Sequence, residues 1–115
     1  MTKPLVILVN EDKGQVEQLS MFLQDNHDVL VFNTPEEILD VFSAYCLRVR
    51  AVLISVQLTQ VKAMDLLKKL KKISVLPEYI MVSTKANITE AVDALTYGAV
   101  DYISWPSDKH LLLKK

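Results

Sequence analysis

Leu5-Val6-Ile7-Leu8-Val9-Asn10-Glu11-Asp12 decides the fold. Five consecutive apolar residues, three of them β-branched, read as a short strand covered on both faces. A half-solvated strand would alternate apolar with polar residues instead. An acidic pair ends the run. Val16, Leu19, Phe22 and Leu23 then recur at helical spacing on one face.

The same strand-then-helix rhythm repeats down the chain. Residues 29–32 read as a second strand. Thr34-Pro35-Glu36-Glu37 is a helix start, with Thr34 as cap, Pro35 at the first helical position and Glu37 closing a capping box. Ile38, Leu39, Val41, Phe42 and Tyr45 form the inner side of that helix. Residues 51–54 read as a third strand ending at Ser55. A third helix starts near Lys62, with Ala63, Leu66, Leu67, Leu70 and Ile73 inward and Pro77 as its stop signal. Residues 79–82 form a fourth strand. Asn87 caps a fourth helix, whose expected inner face is Ile88, Val92 and Leu95. Gly98 stands where a helix end favours positive φ. Residues 100–104 form a fifth strand. Ser107 is expected to cap a last helix running to Leu113.

Alternation of this kind implies an α/β fold, a five-stranded parallel sheet in a doubly wound (βα)5 arrangement with helices on both faces. Ligands and chemistry in such sheets collect at the carboxyl ends of the strands. The residues there are Asn10, Glu11, Asp12, Asn33, the segment from Ser55 to Thr59, Ser83 to Lys85, and Ser104 to Pro106.

Composition limits the function classes. The chain has 115 residues, half of them apolar and 23% charged, enough for one domain with one real core. Thirteen basic and 14 acidic residues leave a net charge of −1, which argues against broad binding to nucleic acid or membrane. One cysteine, Cys46, excludes an internal disulfide. The two glycines exclude a Gly-rich phosphate cradle. No apolar run exceeds the five residues of Leu5–Val9, so no membrane span is expected, and a reducing cytoplasm is the expected setting. Residues 1–115 read as a single domain. The last helix reads only from Asp108 to Lys115 and lacks a stop signal, so either this is a short final helix or the chain is a piece excised from a longer protein.

Glu11 and Asp12 admit two readings. Clustered carboxylates suit a hard divalent cation, and an acid ahead of a helix suits its N-terminal dipole. No carboxylate occurs between Ala51 and Met64. Asp65 lies inside a helix and is expected to pair with Lys69. Two acids and the Ser55 hydroxyl would make a weak Mg²⁺ site at best. Ser83 and Thr84 bring hydroxyls that bind an oxyanion or simply satisfy local backbone groups. Trp105 either fills the strand-end crevice, donating its N–H toward Glu11 or Asp12, or anchors a partner as an exposed hot spot. Lys68, Lys69, Lys71 and Lys72 read as a solvated helix face or, alternatively, as a ligand or nucleic-acid face. His27, His110 and Cys46 read as structural residues.

The chain resembles a response-regulator receiver domain of the chemotaxis-regulator type, over nearly its whole length. The first strand with its acidic pair carries the resemblance, as does the loop and third helix from Leu58 to Leu67. The most specific match is Tyr97-Gly98-Ala99-Val100-Asp101-Tyr102-Ile103-Ser104-Trp105-Pro106-Ser107. The resemblance implies an aspartate phosphate acceptor at the third strand end, an acidic pair that helps hold Mg²⁺, and a hydroxyl and a lysine that contact the phosphoryl group. It also implies an aromatic residue on the fifth strand that reports the state to partners. The acidic pair maps to Glu11 and Asp12, the hydroxyl to Ser83 and the aromatic switch to Tyr102. The acceptor position holds Ser55 and the lysine position Trp105. Thr59 and Ala63 replace the usual loop Pro and Gly.

An unactivated serine does not replace a carboxylate nucleophile, and tryptophan supplies no cation for a phosphoryl group. The sequence therefore reads as a degenerate pseudo-receiver, non-enzymatic and needing no cofactor, that signals by protein interaction independently of phosphorylation. Its expected partner face comprises helix 4, strand 5 and helix 5, with Glu90, Asp93, Tyr102 and Lys109. That face would bind a protein partner or a second copy, and an output domain or signalling partner is implied. The alternative is a still-switchable receiver phosphorylated at Ser55 or elsewhere, with Mg²⁺ at Glu11 and Asp12. Without the lysine, one carboxyl of the acidic pair is expected to be raised in pKa by its neighbour.

Overall fold

The computed structural model describes residues 3–45, 47–85 and 87–108. Five strands alternate with four helices: β1 (Leu5–Val9), α1 (Lys13–Leu23), β2 (Asp28–Phe32), α2 (Pro35–Tyr45), β3 (Val49–Ser55), α3 (Ala63–Ile73), β4 (Glu78–Ser83), α4 (Ile88–Thr96) and β5 (Asp101–Ser104). All pairings are parallel, and the strand order is β2-β1-β3-β4-β5. The chain reverses its direction of winding between β1 and β3. The strand-end crevice of such a sheet lies there. Cys46, Lys109, His110 and the expected fifth helix lie outside the described residues.

Period-two alternation splits each central strand between two cores. Leu5, Ile7 and Val9 face one side with Val52, Ile54, Tyr79 and Met81, where Ile38 and Phe42 of α2, Leu66, Leu67 and Leu70 of α3 and Ala94 of α4 cover them. Val6, Leu8, Leu53, Ile80, Val82 and Ile103 face the other side, against Leu19 and Leu23 of α1. The continuous apolar run of β1 is thus explained: both of its faces are buried.

Two expected inner faces need correction. On α4, Ile88, Val92 and Leu95 point outward and are 84%, 56% and 53% exposed, while Ala94 is fully buried. Tyr79, Met81 and Tyr102 supply the bulk in the core cluster that α4 joins, so the helix contributes a small residue there. Ile73, at the last turn of α3, is also exposed. The end of α4 behaves as expected: Gly98 has φ +106°, and the Ala99 N–H donates to the Ala94 carbonyl at 2.9 Å. Among the described residues no helix is long and apolar enough to cross a membrane.

Candidate functional site

The ends of β1, β3 and β4 form an open cleft lined by Asn10, Glu11, Asp12, Gln15, Ser55, Gln57, Thr59 and Thr84. The backbone sets its walls level: the Val56 N–H donates to Val82 O at 2.9 Å and the Trp105 N–H to Ser83 O at 2.8 Å.

Both carboxylates of the acidic pair are engaged by protein donors. Asp12 caps α1, its Oδ1 accepting from the Gln15 N–H at 3.1 Å. The buried Asn10 fixes that turn, accepting from the Asp12 N–H at 2.9 Å and donating to Gln15 Oε1 at 3.0 Å. Glu11 clamps the β3–α3 loop. Its carboxylate accepts from the Thr59 N–H at 3.1 and 3.2 Å and from the Thr59 hydroxyl at 2.6 Å. These bonds, led by the hydroxyl, hold the Glu11 carboxyl below its ordinary value against the opposing effect of desolvation. The expected upward shift is therefore wrong for Glu11. The Thr59 donors replace the missing lysine as the partner that favours its charged form.

Ser55 is buried, and its Oγ accepts from the Gln57 N–H at 3.1 Å. Ser83 is fully buried and saturated. Its Oγ donates to Lys85 O at 2.7 Å and accepts from the Lys85 N–H at 3.0 Å and from Gln57 Nε2 at 3.3 Å. A hydroxyl has one donor and two acceptor positions, and all three are taken. Gln57 is the residue that the sequence reading missed. Its signal was its place two positions after Ser55, where a long amide can cross to the next strand end.

Trp105 does neither thing expected of it. It is 5% exposed, so it is no exposed hot spot. It does not line the cleft either: it packs in the α1-side core, where Phe22 meets it edge-on at 5.4 Å, and its Nε1–H donates to Gln18 Oε1 at 3.2 Å rather than to Glu11 or Asp12. Alternation explains the placement, because Ile103 and Trp105 are two residues apart and share a side.

On the neighbouring face the structure brings Tyr102, Glu90 and Asp93 together. The half-buried Tyr102 hydroxyl donates to Glu90 Oε1 at 2.9 Å, and Glu90 and Asp93 border the same groove. Burial is the main cause that pushes the Tyr102 phenol up.

The profile of the response regulator receiver domain matches residues 6–115. The chain belongs to this family. A CheY-like receiver from Methanospirillum hungatei is 23% identical, with TM-score 0.85 over 99% of this chain and 90% of that one. The BeF₃-activated receiver domain of DrrB, from Thermotoga maritima, is 22% identical, with TM-score 0.84 over 99% and 93%. CheY of Borrelia burgdorferi, in a complex with CheX, BeF₃ and Mg²⁺, is 18% identical, with TM-score 0.86 over 96% and 84%. At these identities the likeness establishes the fold. No curated protein sequence matches the chain significantly.

Receivers imply Mg²⁺, and the donor set of this receiver fits the ion poorly. Ser55 stands where a third carboxylate would complete the set, Asp12 is a helix cap, and Glu11 is spent on Thr59. Among the described residues no group of three or more His, Cys, Asp or Glu side chains gathers to hold a metal. The lysine face is also less free than expected. Lys68 Nζ sits 3.9 Å above the Tyr97 ring, and Lys71 Nζ donates to Gly98 O at 3.0 Å. Asp65 and Lys69 form no ion pair; a contact of that kind on an exposed helix face is worth only tenths of a kcal/mol.

Proposed function

We propose that this receiver is a pseudo-receiver, a non-enzymatic module that signals by binding a protein partner and does not depend on phosphorylation. The observation that carries the reading is the saturation of Ser83 by Gln57 and Lys85. An incoming phosphoryl group would find no free hydroxyl there. It would also find no cation at position 105 and no carboxylate at position 55. The same bonds support a fixed state at the partner face. Gln57 holds Ser83, Ser83 holds Lys85, and the Tyr102 hydroxyl lies 3.5 Å from Lys85 O while donating to Glu90. A weak, water-supported Mg²⁺ at Glu11 and Asp12 has no required role in this reading, and a cytoplasmic setting belongs with it.

The test is a ¹⁵N–¹H NMR titration with Mg²⁺ and then with beryllofluoride. Unchanged amides at Glu11, Asp12, Ser83 and Tyr102 are expected. Shifts at these positions that saturate with Mg²⁺ and grow with the mimic would restore a switchable receiver. A stable phosphoserine at position 55 in the protein isolated from its native cell would favour the alternative.

A further inference from the structure

The loops at the amino-terminal end of the sheet carry apolar side chains that the core does not use. β3 and β4 are hydrogen-bonded neighbours, with Ala51 opposite Glu78, so the loops that lead into them emerge side by side. Leu47 on the first loop is 84% exposed, and Val75 and Leu76 on the second are 71% and 68% exposed. Such loops ordinarily carry small or polar residues. Their bonding does not call for apolar ones. The Arg48 N–H donates to Tyr45 O at 2.8 Å, the Leu76 N–H to Ser74 Oγ at 3.1 Å and the Tyr79 hydroxyl to Ser74 O at 2.6 Å. These bonds hold both loops in place and leave the three apolar side chains in water. Large apolar side chains grouped in this way mark an interaction surface.

Charge and shape select the occupant. Residues 47–50 and 68–77 carry Arg48, Arg50, Lys68, Lys69, Lys71 and Lys72 and no acid. The acid that follows, Glu78, borders a small pocket on the α1 side together with Arg50, so Arg50 is set against it. Lys71 is held on Gly98 O and Lys68 over the Tyr97 ring, contacts that do not remove a positive charge. Arg48, Lys69 and Lys72 are exposed. The other acids at this end stand aside. Asp25 and Asp28 lie at the β2 edge, where Lys3 donates to Gln24 O, and β1 separates that edge from β3. Asp101, on β5, accepts from the Tyr102 N–H. Lys109, Lys114 and Lys115 lie outside the described residues and are not counted. The C-terminal dipole of α3 also favours Lys71 and Lys72, but it explains neither Arg48 nor the apolar tips.

A basic surface opposes docking of a second copy through the same patch. A protein helix needs a groove, and none of Leu47, Val75 and Leu76 lines the grooves at the strand ends, beside α4 or between α2 and α3. Nucleic acid would use the cations and gain nothing from aliphatic tips. A bilayer interface uses both features: it closes round convex apolar tips while its anionic headgroups meet the cations.

We infer that the amino-terminal end of the sheet docks on an anionic membrane surface, with Leu47, Val75 and Leu76 entering the headgroup region and Arg48, Lys71 and Lys72 meeting anionic lipid headgroups. The net charge of −1 belongs to the whole chain and does not prevent a local basic surface. Three apolar side chains and a few charges give reversible attachment, not insertion. α3 spans 11 residues, about 16 Å at 1.5 Å per residue, between this end and the strand-end cleft, so a docked receiver turns the cleft toward solvent. The inference goes beyond the pseudo-receiver reading and does not depend on it.

The test is cosedimentation of the 115-residue chain with sucrose-loaded vesicles. One set is pure phosphatidylcholine, and the other contains about 30% phosphatidylglycerol, both at about 0.1 M salt. The anionic vesicles should bind about tenfold or more tightly, and about 0.5 M salt should remove most of that gain. Arg48→Gln and Lys72→Gln should each weaken binding about fivefold. Leu47→Ser combined with Leu76→Ser should weaken it about tenfold. All four side chains are exposed, and far-UV circular dichroism checks the fold of each variant. Spin-labelled lipid added to the wild-type chain should broaden the amides of residues 47–48 and 72–76 before any others, a readout that needs no variant. Binding to neither vesicle, equal binding to both, leucine variants that bind as the wild type does, or broadening centred elsewhere would overturn the inference. So would binding of a polyglutamate peptide at these residues with no vesicle binding, which would assign the surface to an acidic protein.

Discussion

Truncating Trp105 tests whether this side chain is core or surface. Trp105→Ala removes an indole that is 5% exposed, meets Phe22 edge-on and donates to Gln18. Large-to-small changes at such aromatic sites cost about 3–5 kcal/mol through lost transfer energy and the cavity left behind. The aromatic pair and the N–H bond lie within that figure and are not added to it. A domain of this size has a stability of roughly 5–15 kcal/mol, so a loss of about 4 kcal/mol removes a large part of it. Urea unfolding followed by far-UV circular dichroism gives the number; the lone tryptophan cannot serve as the probe in this variant. Trp105→Phe keeps an aromatic ring against Phe22 but removes the N–H donor and the fused five-membered ring, leaving the Gln18 oxygen to water. It should cost about 1–2 kcal/mol. A loss under about 1 kcal/mol for Trp105→Ala would refute the argument, because a surface aromatic behaves that way. The side chain would then be a partner anchor after all.

Gln57→Leu removes the amide that reaches Ser83 and should cost about 1 kcal/mol in urea unfolding, with the amide resonances of Ser83 and Lys85 shifting; unmoved resonances would disprove the cross-strand contact. Asn87→Ala removes the α4 cap and should lower stability by about 1 kcal/mol, within a range of 0.5–2. Glu11 gives a pH prediction with a definite sign. Its folded-state pKa is depressed, so its contribution is fully present above the unfolded value of about 4.5 and is lost as pH falls through the lower folded value. The Thr59 amide, followed by NMR, should titrate with a midpoint below the ordinary Glu value of about 4.5. A midpoint above that value would show that the Thr59 clamp is absent.

The fold was readable because strand burial leaves a blunt mark. Leu5–Val9 is apolar at every position, and only a strand covered on both faces tolerates that. Four of the five strands differ from their expected bounds only by residues at their ends, where local sequence is least informative. The failures have a common cause. On α4, Ile88, Val92 and Leu95 satisfy the helical period as well as Ala91 and Ala94 do, so periodicity alone could not choose which stripe faces the sheet. The choice depended on the volume of Tyr102 and Tyr79, residues on other strands. Trp105 failed in the same way. Its position in the aligned motif suggested the crevice, while the side chain follows the alternation of β5 into the opposite core.

The site was legible by position and illegible by bonding. Glu11, Asp12, Ser55 and Ser83 lie at the strand ends as expected, but what occupies their donors and acceptors depends on Thr59, which the motif marks only as a departure, and on Gln57, which no motif singles out. Thr59 stands where the resemblance expects proline, a residue with no N–H. That one replacement supplies two of the donors that hold Glu11, and the Gln60 N–H adds a weaker one. Gln57 in turn supplies the donor that closes Ser83. The losses at positions 55 and 105 are thus accompanied by new local bonds in the cleft. If the cleft no longer takes a phosphoryl group, as proposed, its polar groups would otherwise sit half-buried and unpaired, at a cost of about 1–3 kcal/mol each. Among the described residues no buried side-chain polar atom lacks a partner. On the proposed reading such a cleft needs neither phosphoryl nor metal, and reversing it needs more than restoring the acceptor. Ser55→Asp alone would place a third carboxylate beside a Glu11 that remains bound to Thr59 and a Ser83 that remains bound to Gln57.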